Sequence, residues 1–466
     1  MDALLKIVSA INGQLWGPPM MILLGGFGLI STIYLGFPQF TRLGTGFKNS
    51  FGKIFSREKG REGSMSSFQS LATAIAAQVG TGNIGGVSTA IVSGGPGAIF
   101  WMWIIAIFGM STISVEALLA QKYRETKDGE LVGGPAYYIH NGLKENGMDG
   151  LGKFLAAFFA ITIILALGLV GNMVQSNSIT EVMASAFNIE PIVIGLVLAV
   201  FAALIFLGGM SRIAKFTELV VPIMAAVYIV GAIAILVTFR GMIIPVISAI
   251  FTSAFSSKAV LGGAAGVAVK TAIRYGIARG LFSNEAGMGS TPNSHAVADV
   301  AHPVLQGTVA MVGVFIDTII VCTATALIVL VTGADKLGIQ GPRVTQEAFI
   351  EAFGSAGGKF LAVALMFFAF TTIVGWYYFG EGNTKYLFKS KAAIRVYQVL
   401  VLVFVVLGSV LNVEIVWELA DMFNGIMVIP NVLGLFILIR EAKKLYLDYD
   451  EQVRTGQALH YDYKYQ

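Results

Sequence analysis

The sequence predicts an all-α membrane protein whose chain crosses the bilayer eleven times. Three observations lead to this fold class. Of the 466 residues, 56% are hydrophobic. Only 12% of them are charged, against about 25% in an average soluble protein. Long uncharged runs also recur along the whole chain, as expected of helices that must each cover the hydrocarbon core of a bilayer.

This composition excludes several classes of protein. A soluble enzyme of this length needs far more polar residues to cover its surface, and the mean hydropathy here is +0.76. The lone Cys322 excludes a disulfide framework and a cysteine metal cluster. A net charge of +4 gives no reason to expect a nucleic-acid partner. The expected surroundings are therefore the lipid bilayer.

The spans follow from the positions of charged residues and breaks. The second and third predicted spans share one uncharged run that glycine and proline divide at 93–97. The seventh and eighth spans carry isolated charges. In chain order the uncharged or nearly uncharged stretches lie within 17–37, 62–116 (two spans), 153–181, 190–212, 218–240, 261–288, 303–332, 359–381, 395–414 and 421–440. Shorter connecting helices are expected over 134–143, 244–255 and 346–353.

The distribution of Lys and Arg predicts the orientation of the chain. With eleven spans, alternate loops lie on opposite sides; one set of loops contains 22 of the 31 basic residues and the other contains 6. Because cytoplasmic loops carry the excess of basic residues, we expect the N-terminus outside and the C-terminus in the cytoplasm. The expected location is the plasma membrane. No small-residue cleavage site follows the first span, so we expect it to be retained.

Two spans contain clusters of glycine at places where a continuous helix is expected. In lipid, irregular backbone persists only where it is buried in protein or lines a cavity. The second and seventh spans lie five apart, at matching positions of two five-helix halves, which is the pattern of a transporter built from inverted repeats. Close helix packing is the alternative explanation of such glycines. The clusters are Gly80, Gly82, Gly85 and Gly86 in the second span and Gly276, Gly280, Gly287 and Gly289 in the seventh.

Three sequence strings resemble one protein family. They are GGPGAIFWMWIIAIFG at 94–109, QVGTGNI at 78–84 and FSNEAGMG at 282–289. Together they resemble the alanine/glycine:cation symporters, also called sodium:alanine symporters, of the amino acid–polyamine–organocation superfamily. The resemblance covers essentially the whole chain. It implies a ten-helix leucine-transporter-type fold, a 5+5 inverted repeat, with one extra N-terminal helix.

The resemblance also implies a division of the chain and an activity. Residues 1–60 would form the extra helix and a basic loop, 61–440 the core (helices 1–5 at about 64–240 and 6–10 at about 261–440), and 441–466 a cytoplasmic tail. The implied protein is a secondary active transporter and no enzyme. It would couple Na⁺ to the uptake of alanine or glycine by alternating access, functioning as a monomer. A proton-coupled symporter of the same fold is the alternative. An ion channel is disfavoured because no repeated pore loop is visible.

The implied substrate site lies at the two glycine clusters. Backbone N–H groups of the broken second span would bind the substrate carboxylate, and Gln78 would face the substrate. The seventh span would be unwound at 276–278, or alternatively at 284–287. An interhelical structural bond is the alternative for Asn172, and an interfacial anchor is the alternative for Trp376. The predicted substrate-binding residues are Gln78, Gly80, Thr81, Gly82, Asn83, Asn172, Gly276, Ile277, Ala278 and Trp376.

The implied sodium site uses two adjacent hydroxyls of the ninth span, because sodium is a hard cation that prefers oxygen ligands. The predicted ligands are the side chains of Thr371 and Thr372 with the carbonyl oxygens of Ala76, Val79 and Phe368. A hydroxyl bonded to a carbonyl of its own helix is the alternative for each threonine. Since adjacent residues point about 100° apart on a helix, at least one of the two is expected to do only that.

Four charges lie deep within the predicted spans: Glu116, Arg279, Glu285 and Asp317. A central charge is costly in a bilayer, so each is a functional candidate. Arg279 and Glu285 are six residues apart and do not share a helix face. We therefore expect Arg279 to pair with Glu116 or Asp317 on another helix, as a gating pair or a structural clamp. Proton coupling through Asp317 or Glu285 is the alternative.

Overall fold

The computed structural model describes residues 2–52, 64–127, 129–255 and 265–464. Regular structure in these ranges is almost entirely helical, as the composition predicts. In chain order the α-helices are α1 (Asp2–Leu15), α2 (Pro18–Tyr34), α3 (Pro38–Thr41), α4 (Leu43–Phe51), α5 (Ser67–Gln78), α6 (Val87–Gly94), α7 (Gly97–Lys122), α8 (Pro135–Glu145), α9 (Asp149–Ile163), α10 (Asn172–Phe187), α11 (Pro191–Phe206), α12 (Gly209–Thr238), α13 (Ile243–Phe255), α14 (Ala265–Asn284), α15 (Pro292–His295), α16 (Pro303–Val314), α17 (Thr323–Thr332), α18 (Pro342–Phe353), α19 (Ser355–Leu387), α20 (Lys391–Val410) and α21 (Val413–Thr455).

Other regular elements are short. Wider, π-helical segments join α5 to α6, α9 to α10 and α16 to α17, at Gly82–Gly86, Ile164–Gly171 and Phe315–Cys322 respectively. Single 3₁₀ turns lie at Arg240–Met242 and Ala334–Lys336. A small antiparallel hairpin, β1 (Glu125–Lys127) with β2 (Glu130–Val132), departs from the all-helical prediction. Because π-helical segments widen the backbone locally, they often occur at functional sites.

Seven spans in the described part of the chain are long and apolar enough to cross a membrane, or up to eight if the bent pair formed by α1 and α2 counts as one. The seven are Gly97–Lys122, Asp149–Phe187, Gly209–Thr238, Pro303–Thr332, Ser355–Leu387, Lys391–Val410 and Val413–Thr455. The other three predicted spans fall on the interrupted pair α5–α6, on the 16-residue α11 and on α14 with its three basic residues. The count of eleven stays a prediction.

Regions between the spans agree in part with the sequence analysis. Helices α8, α13 and α18 confirm the three predicted connecting helices, whereas α1 and α4 were not predicted. Part of the predicted basic loop, 53–60, and the beginning of the predicted seventh span, 261–264, lie outside the described residues. Helix α21 continues without a break through residue 440, where the sequence analysis places a boundary.

The long helices pack in two groups. Helix α7 lies against α14 and α16, while α10 lies against α19 and α20, and α11 also lies against α20. The interrupted helix α5 contacts α16 of the first group and α19 of the second, and it also packs on α12. The break that follows α5 therefore lies between the two groups.

The predicted unwinding of the seventh span at 276–278 is wrong, because α14 is continuous to Asn284. A Cβ atom on Gly276 would lie 2.4 Å from the Ala98 carbonyl oxygen, and one on Gly280 would lie 2.8 Å from Ile105 Cγ2. These glycines let α14 approach α7 closely, as in other membrane helix pairs. The packing explanation therefore applies to this cluster.

The break of the seventh span begins instead after Asn284, at the alternative position. Glu285, Gly287 and Gly289 have positive φ angles of 58°, 84° and 78°. A non-glycine residue in this left-handed region is uncommon. Backbone of this kind needs hydrogen-bond partners from its surroundings, since no helix supplies them.

The predicted pairing of Arg279 with Glu116 or Asp317 is also wrong. The guanidinium of Arg279 donates two hydrogen bonds to the carboxylate of Asp421 in α21, at 2.9 and 2.7 Å. It also lies over the Trp417 ring, 5.2 Å from the ring centroid. Arg279 thus faces α21, so its charge does not neutralise either deep carboxylate.

Candidate functional site

The second span is interrupted where the sequence predicts. Helix α5 begins with a capping box between Ser66 and Gln69, which satisfies two N–H groups at its first turn. It ends at Gln78, and Val79 leaves the helical region with ψ of 89°. Helical structure resumes only through the π-helical segment Gly82–Gly86. The intervening residues therefore present backbone groups to side chains rather than to helical partners.

Gly80 brings the break of α5 into direct contact with α10 and α19. A Cβ atom at Gly80 would lie 2.3 Å from Thr372 Oγ1 and 3.1 Å from Gln175 Oε1. The Gly80 N–H donates to Asn83 Oδ1 at 2.9 Å, and the Thr81 N–H donates to Gln175 Oε1 at 3.2 Å. Two N–H groups predicted to bind a carboxylate thus bind side-chain amide oxygens.

Gln175 is not among the predicted site residues. Its oxygen accepts from both the N–H and the hydroxyl of Thr81, and its side chain is buried. The signal available was the polar run Asn172-Met173-Val174-Gln175-Ser176-Asn177 in an otherwise apolar span. Such a run predicts contacts within the bundle but does not identify which amide reaches the break.

Gln78 joins the two breaks. Its Nε2 donates to the carbonyl oxygen of Asn284, the last residue of α14, at 2.7 Å. Its Oε1 is buried without a hydrogen-bond partner among the described residues. The Oδ1 of Asn172 is likewise buried and unpartnered, while its Nδ2 donates to Gly168 of the same helix at 2.9 Å. Because unpaired buried acceptors are costly, each suits an incoming donor such as an ammonium group.

Trp376 lies inside the bundle with 2% of its surface exposed, so the interfacial-anchor alternative is wrong. Its Nε1 donates to Glu285 Oε1 at 2.6 Å. Its ring lies against the fourth span, since a Cβ atom on Gly171 would be 2.7 Å from Trp376 Cζ3. The Phe282 ring is perpendicular to it, with centroids 6.2 Å apart. These aromatic rings limit the space beside the second break.

The adjacent threonines of α19 point in different directions. Thr372 Oγ1 donates to the carbonyl oxygens of Ala76 at 2.9 Å and Phe368 at 3.1 Å. Thr371 Oγ1 donates to Phe368 at 2.8 Å and contacts Met224 Sδ of α12 at 3.6 Å. The structure therefore groups Thr372, Ala76 and Phe368 of the predicted sodium ligands. It turns Thr371 towards α12, because consecutive residues are separated by about 100° on a helix.

Asp317 lies in the π-helical segment between α16 and α17 and is fully buried. Its carboxylate accepts from Asn83 Nδ2 at 2.6 Å, from Ser283 Oγ at 3.1 Å and from Thr318 Oγ1 at 2.6 Å. From the sequence, Asp317 was recognisable only as a deep charge. Its position against Asn83 and Ser283 adds an acidic group between the two broken spans.

Comparisons with known proteins agree with these observations. A family model described as the sodium:alanine symporter family matches residues 1–463. The sodium/alanine symporter AgcS of Methanococcus maripaludis is 43% identical over 438 residues, covering 93% of this chain and 94% of that protein. The probable sodium/glutamine symporter GlnT of Bacillus subtilis is 40% identical over 452 residues, covering 97% and 91% respectively.

A solved structure is similar in fold. A mutant manganese transporter from Eremococcus coleocola has a TM-score of 0.50 at 13% sequence identity. The alignment covers 89% of this chain and 86% of that protein. At this level of identity the similarity concerns the arrangement of the helices alone.

Proposed function

Because this chain belongs to the sodium:alanine symporter family, whose coupling ion is Na⁺, we propose that it carries alanine or glycine across the membrane together with Na⁺. The observation that supports this most is the break after α5. There the non-helical backbone at Gly80 and Thr81 meets Gln175 of α10 and Thr372 of α19. Such a break between two helix groups suits a site that opens to either side by alternating access.

The substrate carboxylate is proposed to bind the N–H groups of Gly80 and Thr81. The oxygens of Asn83 and Gln175 now lie on these two donors, in the positions that carboxylate oxygens would take. Substrate binding then requires both amide side chains to move aside or rotate. The substrate ammonium is proposed to bind the unpartnered Oε1 of Gln78.

Substrate size is proposed to be limited by Trp376 and Phe282. The Trp376 ring is fixed between Gly171 and Glu285, so a long side chain would have to displace it. One relative is named a glutamine symporter and another an alanine symporter, at 40% and 43% identity. Overall identity therefore does not decide between these substrates, and the preference for alanine or glycine is inferred from the aromatic rings.

The coupling ion is proposed to bind the oxygens of Thr372, Ala76 and Phe368, because the Thr372 hydroxyl already lies within hydrogen-bond distance of both carbonyl oxygens. A sodium ion there would bind the last turn of α5 directly before the break. Asp317 supplies a carboxylate near the break, through Asn83. Because Thr372 lies against Gly80 and Asp317 holds the Asn83 side chain that accepts from Gly80, ion binding would favour the substrate-binding arrangement, and the reverse holds by linkage.

The test is uptake of radiolabelled alanine by proteoliposomes that contain the purified protein. We expect accumulation with an inward Na⁺ gradient and none when choline replaces Na⁺. Unlabelled glycine should compete, whereas glutamine should compete poorly. Equal uptake driven by a proton gradient alone would contradict Na⁺ coupling, and competition by glutamine as strong as that by alanine would contradict the size argument.

A further inference from the structure

The irregular backbone after α14 is held by three buried side chains from other helices. The N–H of Gly287 donates to Glu116 Oε2 at 2.9 Å. Asn431 Nδ2 donates to the Gly287 carbonyl oxygen at 2.9 Å and to Glu116 Oε1 at 2.6 Å. The hydroxyl of Tyr138 donates to Asn431 Oδ1. We call Glu116, Asn431 and Tyr138 the Gly287 clamp; they come from α7, α21 and α8.

The chemistry of this clamp suits a carboxylate at Glu116. Both of its oxygens receive N–H donors, one from Gly287 and one from Asn431. A glutamine would set its own NH₂ group against one of these donors, and a protonated acid would have less acceptor capacity at one oxygen. The Tyr138 hydroxyl fixes the amide of Asn431 in the orientation that points its Nδ2 inwards. The geometry thus fits an ionised side chain, which has acceptors at both oxygens.

The clamp binds Gly287, a residue of the irregular backbone that needs hydrogen-bond partners from outside a helix. Gly287 has φ of 84° and is flanked by Glu285 and Gly289, which also have positive φ angles. Neither its N–H nor its carbonyl is in a helix, and backbone at this depth must be paired within the protein. Two residues earlier, Glu285 accepts from Trp376 of α19. The position of Gly287 therefore helps to set where Glu285 meets the other helix group.

We propose that Glu116 is a positioning residue: as an ionised carboxylate it fixes Gly287, and so holds the second break where Asn284 and Glu285 reach Gln78 and Trp376. The transport consequence of this proposal rests on the proposed function. The conformational consequence does not, and it can be measured without substrate.

The experiment compares thiol labelling at two reporter positions with and without Glu116→Gln. Thr291 follows the clamped stretch, and its buried hydroxyl has no hydrogen-bond partner among the described residues, so Thr291→Cys removes no bond. Ser111, also buried with an unpartnered hydroxyl in that part of the chain, lies on α7 and provides the matched reporter Ser111→Cys. The native Cys322 is buried and present in both, so its slow labelling gives the background.

Glu116→Gln should raise the labelling rate at Thr291→Cys at least about tenfold, because a buried donor left unpaired favours local opening by that order. Labelling at Ser111→Cys should stay within about twofold of its rate in the wild-type background. Glu116→Asp keeps a carboxylate that can accept from both donors, so it should raise labelling at Thr291→Cys less than Glu116→Gln does. In transport, Glu116→Gln should likewise lower the maximal rate more than Glu116→Asp.

Three results would overturn the proposal: unchanged labelling at Thr291→Cys, an equal rise at both reporters, or a rise with Glu116→Asp as large as with Glu116→Gln. If Glu116→Gln does not fold, Tyr138→Phe provides the test, with Tyr228→Phe as its control. Tyr228 is equally buried but bonds to Thr325. Tyr138→Phe should raise labelling at Thr291→Cys and Tyr228→Phe should not; equal effects would contradict the proposal. A wild-type protein that transports no alanine would refute the proposed function and leave the labelling result interpretable.

Discussion

Replacement of Gly80 by alanine tests whether the break of the second span must lie against α19. The added Cβ atom would lie 2.3 Å from Thr372 Oγ1 and 3.1 Å from Thr372 Cβ. Ordinary van der Waals contact begins at 3.4 Å, so the hydroxyl has to move by about 1 Å, and it is bonded to the Ala76 carbonyl. Overpacking of this kind typically costs about 1–3 kcal/mol.

The contact between Gly80 and Thr372 indicates which property of the protein this energetic cost would affect. Because Thr372 is a proposed sodium ligand, its displacement should weaken ion binding more than it weakens the fold. With about 1.4 kcal/mol for each tenfold change, we expect the Na⁺ concentration for half-maximal alanine uptake to rise about 5- to 150-fold in Gly80→Ala. Proteoliposome uptake over a Na⁺ series measures it, and thermal unfolding of the purified protein checks that the fold is kept.

Gly86 gives a matched control on the same span. A Cβ atom there meets only Arg279 Cδ, at 3.9 Å, and its φ of −66° suits any residue. Gly86→Ala should therefore change half-saturation by no more than about twofold, within the usual range of a tolerated substitution. The double variant Gly80→Ala with Thr372→Ala should show less than the summed effect, since the clashing oxygen is gone. Equal effects of the two alanines, or full additivity in the double variant, would refute the reasoning.

Two further predictions concern the adjacent threonines of α19, whose hydroxyls have different contacts, and the buried His295. Thr372→Val should raise the Na⁺ concentration for half-maximal uptake at least about tenfold, because it removes an oxygen near Ala76. Thr371→Val should not, because that hydroxyl faces Met224. The reverse order in uptake assays would contradict the proposed ion site. Burial lowers the pKa of His295, which lies outside the spans, from 6.5 to about 3, so the unfolded chain binds the extra proton first as pH falls. The stability contributed by neutral His295 is full above pH 6.5 and is lost by about 1.4 kcal/mol per pH unit below it. The unfolding temperature of His295→Asn should therefore fall less than that of the wild type between pH 6.5 and 5. An equal fall in both proteins would contradict this prediction.

The sequence placed the long helices and the first break correctly because their signals are local. A long, continuous run of apolar residues without charge predicts a helix in lipid, since a helix satisfies its backbone within the segment and barrel strands are short and alternating. The break after Gln78 was predictable because glycines alternate with polar residues in mid-span. The adjacent hydroxyls of Thr371 and Thr372 could likewise be identified because two polar residues stand out within an apolar span.

Sequence alone did not distinguish glycines that permit close packing from glycines that permit unwinding. Gly276 and Gly287 lie in the same span, yet one contacts Ala98 within a continuous helix and the other has positive φ in irregular backbone. The difference comes from what lies opposite each residue. That depends on how α14 is placed against α7, and neither helix carries this information by itself.

Partners across helices were likewise decided by the tertiary structure. The sequence by itself determined that this chain is helical, apolar and built around a broken second span. The packed bundle decided that Arg279 pairs with Asp421, that Gln175 reaches Thr81, and that Thr372 rather than Thr371 meets Ala76. The physical reason is helix rotation. Turning a helix by about 100° about its axis brings the next residue to the position that faces a given partner, while the hydropathy of the span stays the same.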